Sequence, residues 1–209
     1  MTPRQPLPET PPASGHLAGA AERLVEVTCE LLWERGYVGT SPKAIQQRAG
    51  VGQGSMYHHF TGKPALARAA VLRSAERVRA IAEGDLGGDG GAYARVRRYL
   101  LREREALLGC RVGGLAQDPD VVADAALRGP LEETFAWLRG RIAAVLQEGR
   151  DGGEFDAGLD PEGTAAAVVA VVQGGYVLAR SAADPAPFRQ SVEGLLALLE
   201  ARTAAGVRG

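Results

Sequence analysis

The sequence runs to 209 residues and 21.9 kDa, with 45% hydrophobic and 23% charged residues, the profile of an ordinary globular chain with one or two domains. A formal net charge of −1 excludes a protein that coats nucleic acid uniformly, although a whole-chain sum can conceal a local basic footprint. Two cysteines, Cys29 and Cys110, without the spacing of a disulfide scaffold fit a reducing, cytoplasmic compartment, and aromatics at 5% leave the core to Ala, Val and Leu.

From the N-terminus, residues 1–16 read as a Pro-rich arm lacking the basic start and apolar stretch of a secretory signal. Leu17, Ala21, Leu24, Thr28, Leu31 and Leu32 then recur at helical spacing as far as Gly36, placed as a left-handed cap. Ser41 offers an N-cap oxygen and Pro42 a first helical position for a second helix that stops at Gly50. A third, short helix buries Met56 and Phe60, four residues apart, and turns Gln53, Ser55, Tyr57 and His59 outward. Pro64, Leu66, Ala69, Ala70 and Leu72 open a longer helix to about Ala82, ended by the Gly-rich run from Gly84 to Gly91. Further helices are predicted at 92–108, 119–128, 130–149, 160–183 and 187–204, separated by Gly113-Gly114, Gly129-Pro130, Gly152-Gly153 and Asp184-Pro185.

No segment alternates strictly enough for a half-buried strand, so the fold class is all-α with about nine helices. The organisation predicted is an arm over 1–16, a helix-turn-helix domain over 17–63 and an effector-binding and dimerisation domain over 64–209. The apolar run from Thr164 to Ala179 carries Gln173 and a Gly pair and falls short of the roughly 20 residues of a membrane span, so it reads as a buried helix and no membrane partner is expected.

Charge is distributed unevenly along this chain. From Gly36 to Lys63 there is no Asp or Glu, while both lysines (43 and 63), Arg48 and two of the three histidines lie inside. Two short helices joined by a Gly-containing turn behind a packing helix describe a helix-turn-helix, whose second helix enters the major groove N-terminus first. Gln53 suits adenine N6 and N7, Ser55 bonds either way, and Gly54 allows close backbone approach. Tyr57, His59 and Lys63 suit phosphates, as do Thr40, Ser41 and Lys43 on the other edge of the groove.

The string from Gly36 to Leu66 resembles the DNA-binding segment of TetR-type (tetracycline-repressor-like) regulators: Gly36, Tyr37, Thr40, Ile45, Ala49-Gly50-Val51, Gly54, Tyr57, His59-Phe60 and Lys63 fall where that pattern places them. Gly52 and Gly62 replace usual cap residues and Pro64 a usual acid, substitutions that weaken caps by a few tenths of a kcal/mol. The resemblance implies an all-helical homodimer that binds palindromic operator DNA through its N-terminal modules and a small-molecule effector in its C-terminal domain. Leu108-Gly109-Cys110-Arg111-Val112-Gly113 is similar to an element of the drug- and flavonoid-responsive repressors, with Arg111 where Pro is usual.

Other motifs have simpler explanations. His58 and His59 are adjacent, about 100° apart on a helix, and no HExxH or CxxC supports a metal. The run Gly50-x-Gly52-x-Gly54 does not complete a dinucleotide loop, because position 55 is Ser and no strand precedes it. No GxSxG elbow is present. Cys110 beside Arg111 is either a redox thiol or, more simply, structural. Neither cofactor nor metal is expected, and no catalytic residue.

For an effector pocket the candidates are Tyr99, Leu107, Cys110, Phe135, Trp137, Leu138, Arg141, Gln173 and Tyr176, apolar walls with a few polar groups. The last two helices are apolar on most sides and predict a two-fold interface through Val168, Val172, Val192, Leu195, Leu196 and Leu199. Together these features predict a cytoplasmic, ligand-responsive regulator, a repressor rather than an enzyme. Control of the same fold by a protein partner, or a helical binding protein or enzyme without specific DNA recognition, are the alternatives.

Overall fold

The computed structural model describes residues 13–204, and the side chains of residues 19–204. Nine α-helices form the described part: α1 (Ala13–Arg35), α2 (Pro42–Ala49), α3 (Gln53–His59), α4 (Lys63–Leu86), α5 (Ala92–Leu101), α6 (Pro119–Ala123), α7 (Ala125–Asp151), α8 (Pro161–Ala182) and α9 (Ala186–Glu200). A single 3-10 turn, Leu115–Gln117, precedes α6, and among the described residues the one β-bridge joins Phe155 to Thr203. The predicted arm lies outside the described residues up to position 12, and α1 starts at Ala13, ahead of its predicted start at Leu17.

Local chemistry sets the front of the chain. Gly36 takes φ 71° and ends α1. The Ser41 hydroxyl accepts the Ala44 N–H at 3.1 Å to start α2, with Pro42 following it. Gly50, at φ 63°, ends α2 by donating its N–H to Gln46 and Gln47. Gly52 and Gly62 precede α3 and α4 with no side-chain cap.

Several predicted boundaries move, through interior positions and bonds that the spacing of residue types does not reveal. α4 runs past Ala82 and through Gly84 to Leu86, since Ala82 and Leu86 are fully buried against the core. α5 stops at Leu101 instead of 108, because the guanidinium of Arg104 folds back onto the carbonyls of Tyr99, Leu100 and Arg102 and satisfies the end of the helix. The Gly129-Pro130 pair does not divide two helices: α7 passes through Pro130, which is buried and whose carbonyl accepts the Thr134 hydroxyl at 2.7 Å. The last helix ends at Glu200, and Ala204 N–H and Asp156 N–H close the remaining turns onto Glu154 and Arg202.

Two packing clusters fill the molecule. The front cluster joins α1, α2, α3 and the first half of α4 to Val112, Leu115, Val121, Leu127 and Leu131. The rear cluster is built from α5, α7, α8, α9 and the end of α4. The seam between them lies within α4 and α7, and Cys110 and Phe135 pack against both clusters.

α8 is 22 residues long, within the predicted span 160–183, and by length and composition is the one helix among the described residues able to cross a membrane. Here one face packs on α7 and α9 while Val177 and Leu178 stand half exposed. The prediction that α8 and α9 are buried all round, with Val168, Val172, Val192, Leu196 and Leu199 facing a second copy, is corrected: those five fill the protomer's own core. Leu195 alone of the six is partly exposed and borders the outward groove.

Close packing has one tight point with a measurable consequence. A Cβ at Gly149 in α7 would come within 2.5 Å of the Ala92 methyl and 2.8 Å of the Phe155 ring, where the Glu154 carboxylate also accepts Ala92 and Tyr93 N–H to start α5. Gly149→Leu is expected to destabilise the protein by about 1–3 kcal/mol through overpacking, read as a lower urea midpoint at unchanged slope.

Candidate nucleic-acid interface and ligand cavity

α3 is held to the body by little. Of its seven residues only Met56 is buried, set against α1 and α2 with its sulfur 3.6 Å from Gln46 Nε2. Gln53, Gly54 and Tyr57 are exposed, and Ser55 is half-buried on the same short helix. Lys43 and Ser41 are exposed at the start of α2, so five of these six predicted contacts are exposed and Ser55 is half-buried.

Three predicted contacts are placed otherwise. Thr40 is 1% exposed, and its hydroxyl donates to Gly36 O at 2.7 Å; it pins the turn after α1 and has no free face for DNA. Lys63 is half-buried, donates from Nζ to Tyr37 O at 2.7 Å and lies 3.9 Å over the Tyr37 ring, and burial pushes its ammonium below the usual lysine range. It is a clamp on Tyr37. His59 is half-buried with Nε2 shielded and without a partner, which leaves Nδ1 as its only route to a phosphate. Arg48, the other cation of the acid-free window, is paired with Glu34 of α1 at 2.8 Å.

The DNA-facing unit is tied to the rear body by the segment 109–118. The Asp118 carboxylate accepts Tyr37 N–H at 2.9 Å and Val38 N–H at 3.1 Å through one oxygen, and caps α6 through the other. Trp33 of α1 donates its indole N–H to Gly109 O at 2.9 Å. Arg111 stacks 3.8 Å over the same indole and pairs with Glu30 at 2.8 Å. Neither the Trp33 bond nor the Asp118 bonds to Tyr37 and Val38 were recognised in the sequence, because they act across some 80 positions.

Beneath that segment lies a cavity of about 290 Å³, close to the lower end of ligand-pocket size. Six predicted pocket residues line it: Tyr99, Cys110, Phe135, Leu138, Gln173 and Tyr176. Three do not. Leu107 is exposed on the loop after α5, Trp137 packs on the rear cluster, and Arg141 turns away to bind Glu83 of α4 at 2.8 Å. The sequence reading missed Trp33, Val78, Ile81, Arg104, Thr134 and Val172 on the walls. Val78 and Ile81 belong to the periodic face of α4, which could have suggested them; Arg104, inside the run Arg102-Glu103-Arg104-Glu105, reads as a solvated charge cluster.

Polar groups converge on this space. Burial pushes the Tyr176 phenol up to about 12 and raises that of Tyr99, so both remain neutral hydrogen-bond donors at physiological pH. The Tyr176 ring also packs 4.8 Å from Phe188. Gly113 leaves room for Gln173, whose Oε1 stands 2.1 Å from where a Cβ would be.

An exposed, acid-free pair of short helices on a helical body with its own cavity defines a helix-turn-helix regulator of transcription. The sequence matches the family pattern described as bacterial regulatory proteins, tetR family, over residues 24–70, and the tetracyclin repressor-like C-terminal domain over residues 91–195. The chain belongs to the TetR family of transcriptional regulators, DNA-binding proteins that are generally not enzymes.

Its relatives include the transcriptional regulator AcuR of Cereibacter sphaeroides, 29% identical over 87% of this chain and 91% of that one. An uncharacterised HTH-type regulator of Lactococcus lactis is 27% identical over 63% of this chain and 70% of that one. Among solved structures, a TetR transcriptional regulator from Chloroflexus aurantiacus superposes with a TM-score of 0.83 at 25% identity, over 90% of this chain and 98% of that one. Regulatory protein TetR from Rhodobacter sphaeroides gives 0.76 at 25% identity, over 85% and 97%.

The Asp118 bonds generate a test of the tie between the two parts. Asp118→Ala leaves the Tyr37 and Val38 amides without their acceptor and is expected to cost about 1–2 kcal/mol. Asp120→Ala, on an exposed neighbour that bonds to Asp118 through its backbone N–H, should stay within about 0.5 kcal/mol of the parent. Urea unfolding of the two variants checks the difference.

Proposed function

We propose that the protein is a ligand-responsive repressor that binds a palindromic operator as a homodimer in the cytoplasm and leaves it when a small molecule occupies the 290 Å³ cavity. One observation carries this reading: the segment 109–118 lines the cavity at Gly109, Cys110, Arg111 and Val112 and grips the helix-turn-helix unit at Trp33, Tyr37 and Val38. A ligand that displaces this segment necessarily moves what it holds. To invert a 99:1 population the effector must prefer the DNA-incompetent state by about 5.5 kcal/mol.

On the DNA side, Gln53, Gly54 and Ser55 read base edges in the major groove, while Ser41, Lys43, Tyr57 and the Nδ1 face of His59 hold phosphates. Lys63 and Thr40 act behind them, fixing the turn that presents the pair. The dimer forms through the outward apolar face of α8 and α9, where Val171, Gly174, Leu178, Leu195 and Leu198 border a shallow groove and Leu198 is 70% exposed. Pairing this face across a two-fold axis covers it, at about 2,000 Å² for a lasting interface.

Two measurements test the proposal. Duplexes selected from a random pool should yield a palindrome; Gln53→Ala should then relax base preference by about 1–3 kcal/mol at one position of each half-site. Lys43→Ala should weaken all sequences alike and flatten the salt dependence by about one unit per subunit between about 50 and 200 mM salt. No enriched sequence would sink the operator assignment. Separately, Leu198→Glu should convert the dimer into a folded monomer by sedimentation, and a dimer unaffected by it would place the interface elsewhere.

A further inference from the structure

Most side-chain polar groups on the walls of the 290 Å³ cavity are already occupied by the protein itself. The Trp33 indole N–H goes to Gly109 O and the Thr134 hydroxyl to Pro130 O. Arg102 pairs with Asp85 at 3.4 Å and Arg111 with Glu30 at 2.8 Å. Arg104 gives its terminal nitrogens to the carbonyls that close α5, and its remaining N–H is shielded. The Tyr99 hydroxyl faces the Arg104 side chain. Glu103 and Glu105 border the same space as exposed side chains. Every charge on these walls is therefore paired, committed to backbone or exposed to water.

Apart from the Cys110 thiol, a weak donor, two neutral groups are left over. Gln173 and Tyr176 line the cavity three residues apart, on one face of α8, and neither side chain has a hydrogen-bond partner among the described residues. Tyr176 is only 8% exposed. Its hydroxyl is nevertheless not among the shielded atoms without a partner, which are His59 Nε2, Arg79 Nε and Arg104 Nε. An oxygen that is neither bonded nor shielded keeps accessible surface, and in a side chain this buried that surface opens onto the space it lines. The same two residues also border an adjoining space of about 210 Å³; Arg180, exposed, stands on the walls of that smaller space and not of the larger one.

Buried polar groups normally find a partner, yet here a phenol and an amide are left facing a space whose other walls, Trp33, Val78, Ile81, Phe135, Leu138 and Val172, are apolar. An ion entering it would shed its water and meet no free counter-charge inside. A neutral oxygen sheds less and meets two donors. We propose that the effector is an uncharged single-ring compound whose carbonyl oxygen accepts from the Tyr176 hydroxyl and the Gln173 amide and whose apolar body lies against Phe135, Leu138 and Val172. Its size follows from a volume at the small end of ligand pockets. This assignment rests on the effector reading above and adds the charge class and the groups that recognise it. The Tyr176 phenol, pushed up to about 12 by burial, stays an uncharged donor at neutral pH.

The test compares acetophenone, benzoate and benzamidine: at neutral pH a neutral ketone, an anion and a cation on the same ring, matched in size. Each is titrated against the unfolding temperature of the full chain and against release of the selected operator. Acetophenone should bind saturably and release DNA, with benzoate and benzamidine at least about tenfold weaker. Tyr176→Phe keeps the ring that packs on Phe188 and should weaken acetophenone about five- to tenfold, as should Gln173→Leu. Benzoate or benzamidine binding as tightly as acetophenone, or acetophenone affinity unchanged in a folded Tyr176→Phe, overturns the proposal. Acetophenone binding without operator release overturns the effector reading while the neutral ligand of the cavity stands. Should acetophenone itself be silent, carbonyl compounds, acids and amines of that size are screened for operator release. Hits among neutral carbonyls that are lost in Tyr176→Phe uphold the proposal. Hits confined to acids or amines overturn the charge class and leave the effector reading in place; release by no compound of any charge removes both.

Discussion

One carboxylate sets the geometry on which the rest relies. Among the described residues, the Asp118 side chain reaches from the start of α6 to the turn after α1 and accepts two of its backbone amides, so it helps to fix the direction in which α2 and α3 leave the body. Lys63 then closes the same turn from the other side through the Tyr37 carbonyl. Trp33 and Arg111 add a second tie one turn back along α1. These polar bonds lie beside an apolar contact, since Val112 and Leu115 of the same loop are buried in the front cluster with α1, α2 and α3, so the loop over the cavity is joined to the helix-turn-helix both by directed bonds and by packing.

Arginine carries much of the remaining long-range order. The bias of 22 arginines to two lysines looks like a property of the genome, yet the structure uses it. Arg73 and Arg77 hold Glu22 and Glu26 across α1 and α4, Arg95 holds Glu148 across α5 and α7, Arg141 holds Glu83 across α4 and α7, and Arg202 holds Asp156 at the C-terminal turn. Exposed pairs of this kind contribute little to stability, but a planar fork fixes the relative register of two helices better than an ammonium does. Arg104 uses the same fork within its own turn, on the carbonyls that close α5.

The order of helices and the helix-turn-helix were legible in the sequence because their determinants are local: Gly36 and Gly50 need positive φ, Ser41 caps three residues ahead, and Met56 marks the one inward position of α3. What escaped is set by partners far along the chain. Lys63 and Thr40 have the residue types of DNA contacts and are spent on the Tyr37 and Gly36 carbonyls. Val168, Val172, Val192, Leu196 and Leu199 have the composition of an interface and lie in the protomer's own core, since apolarity alone does not say which neighbour covers a face. Pro130 was a reasonable helix boundary by local rules, and α7 continues through it where it is buried. Six of the nine residues predicted to stand together do line one cavity, and its charged members from Arg102 to Glu105 lie in a run that looks solvated.

The economy of α3 has an evolutionary consequence. A seven-residue helix that gives only Met56 to the interior leaves its other side chains almost without a role in folding. Surface substitutions of this kind usually change stability by less than about 0.5 kcal/mol, so sequence preference on DNA can drift by single steps while the scaffold stays intact. A duplicated copy of such a gene can acquire a new target site without first acquiring a more stable fold.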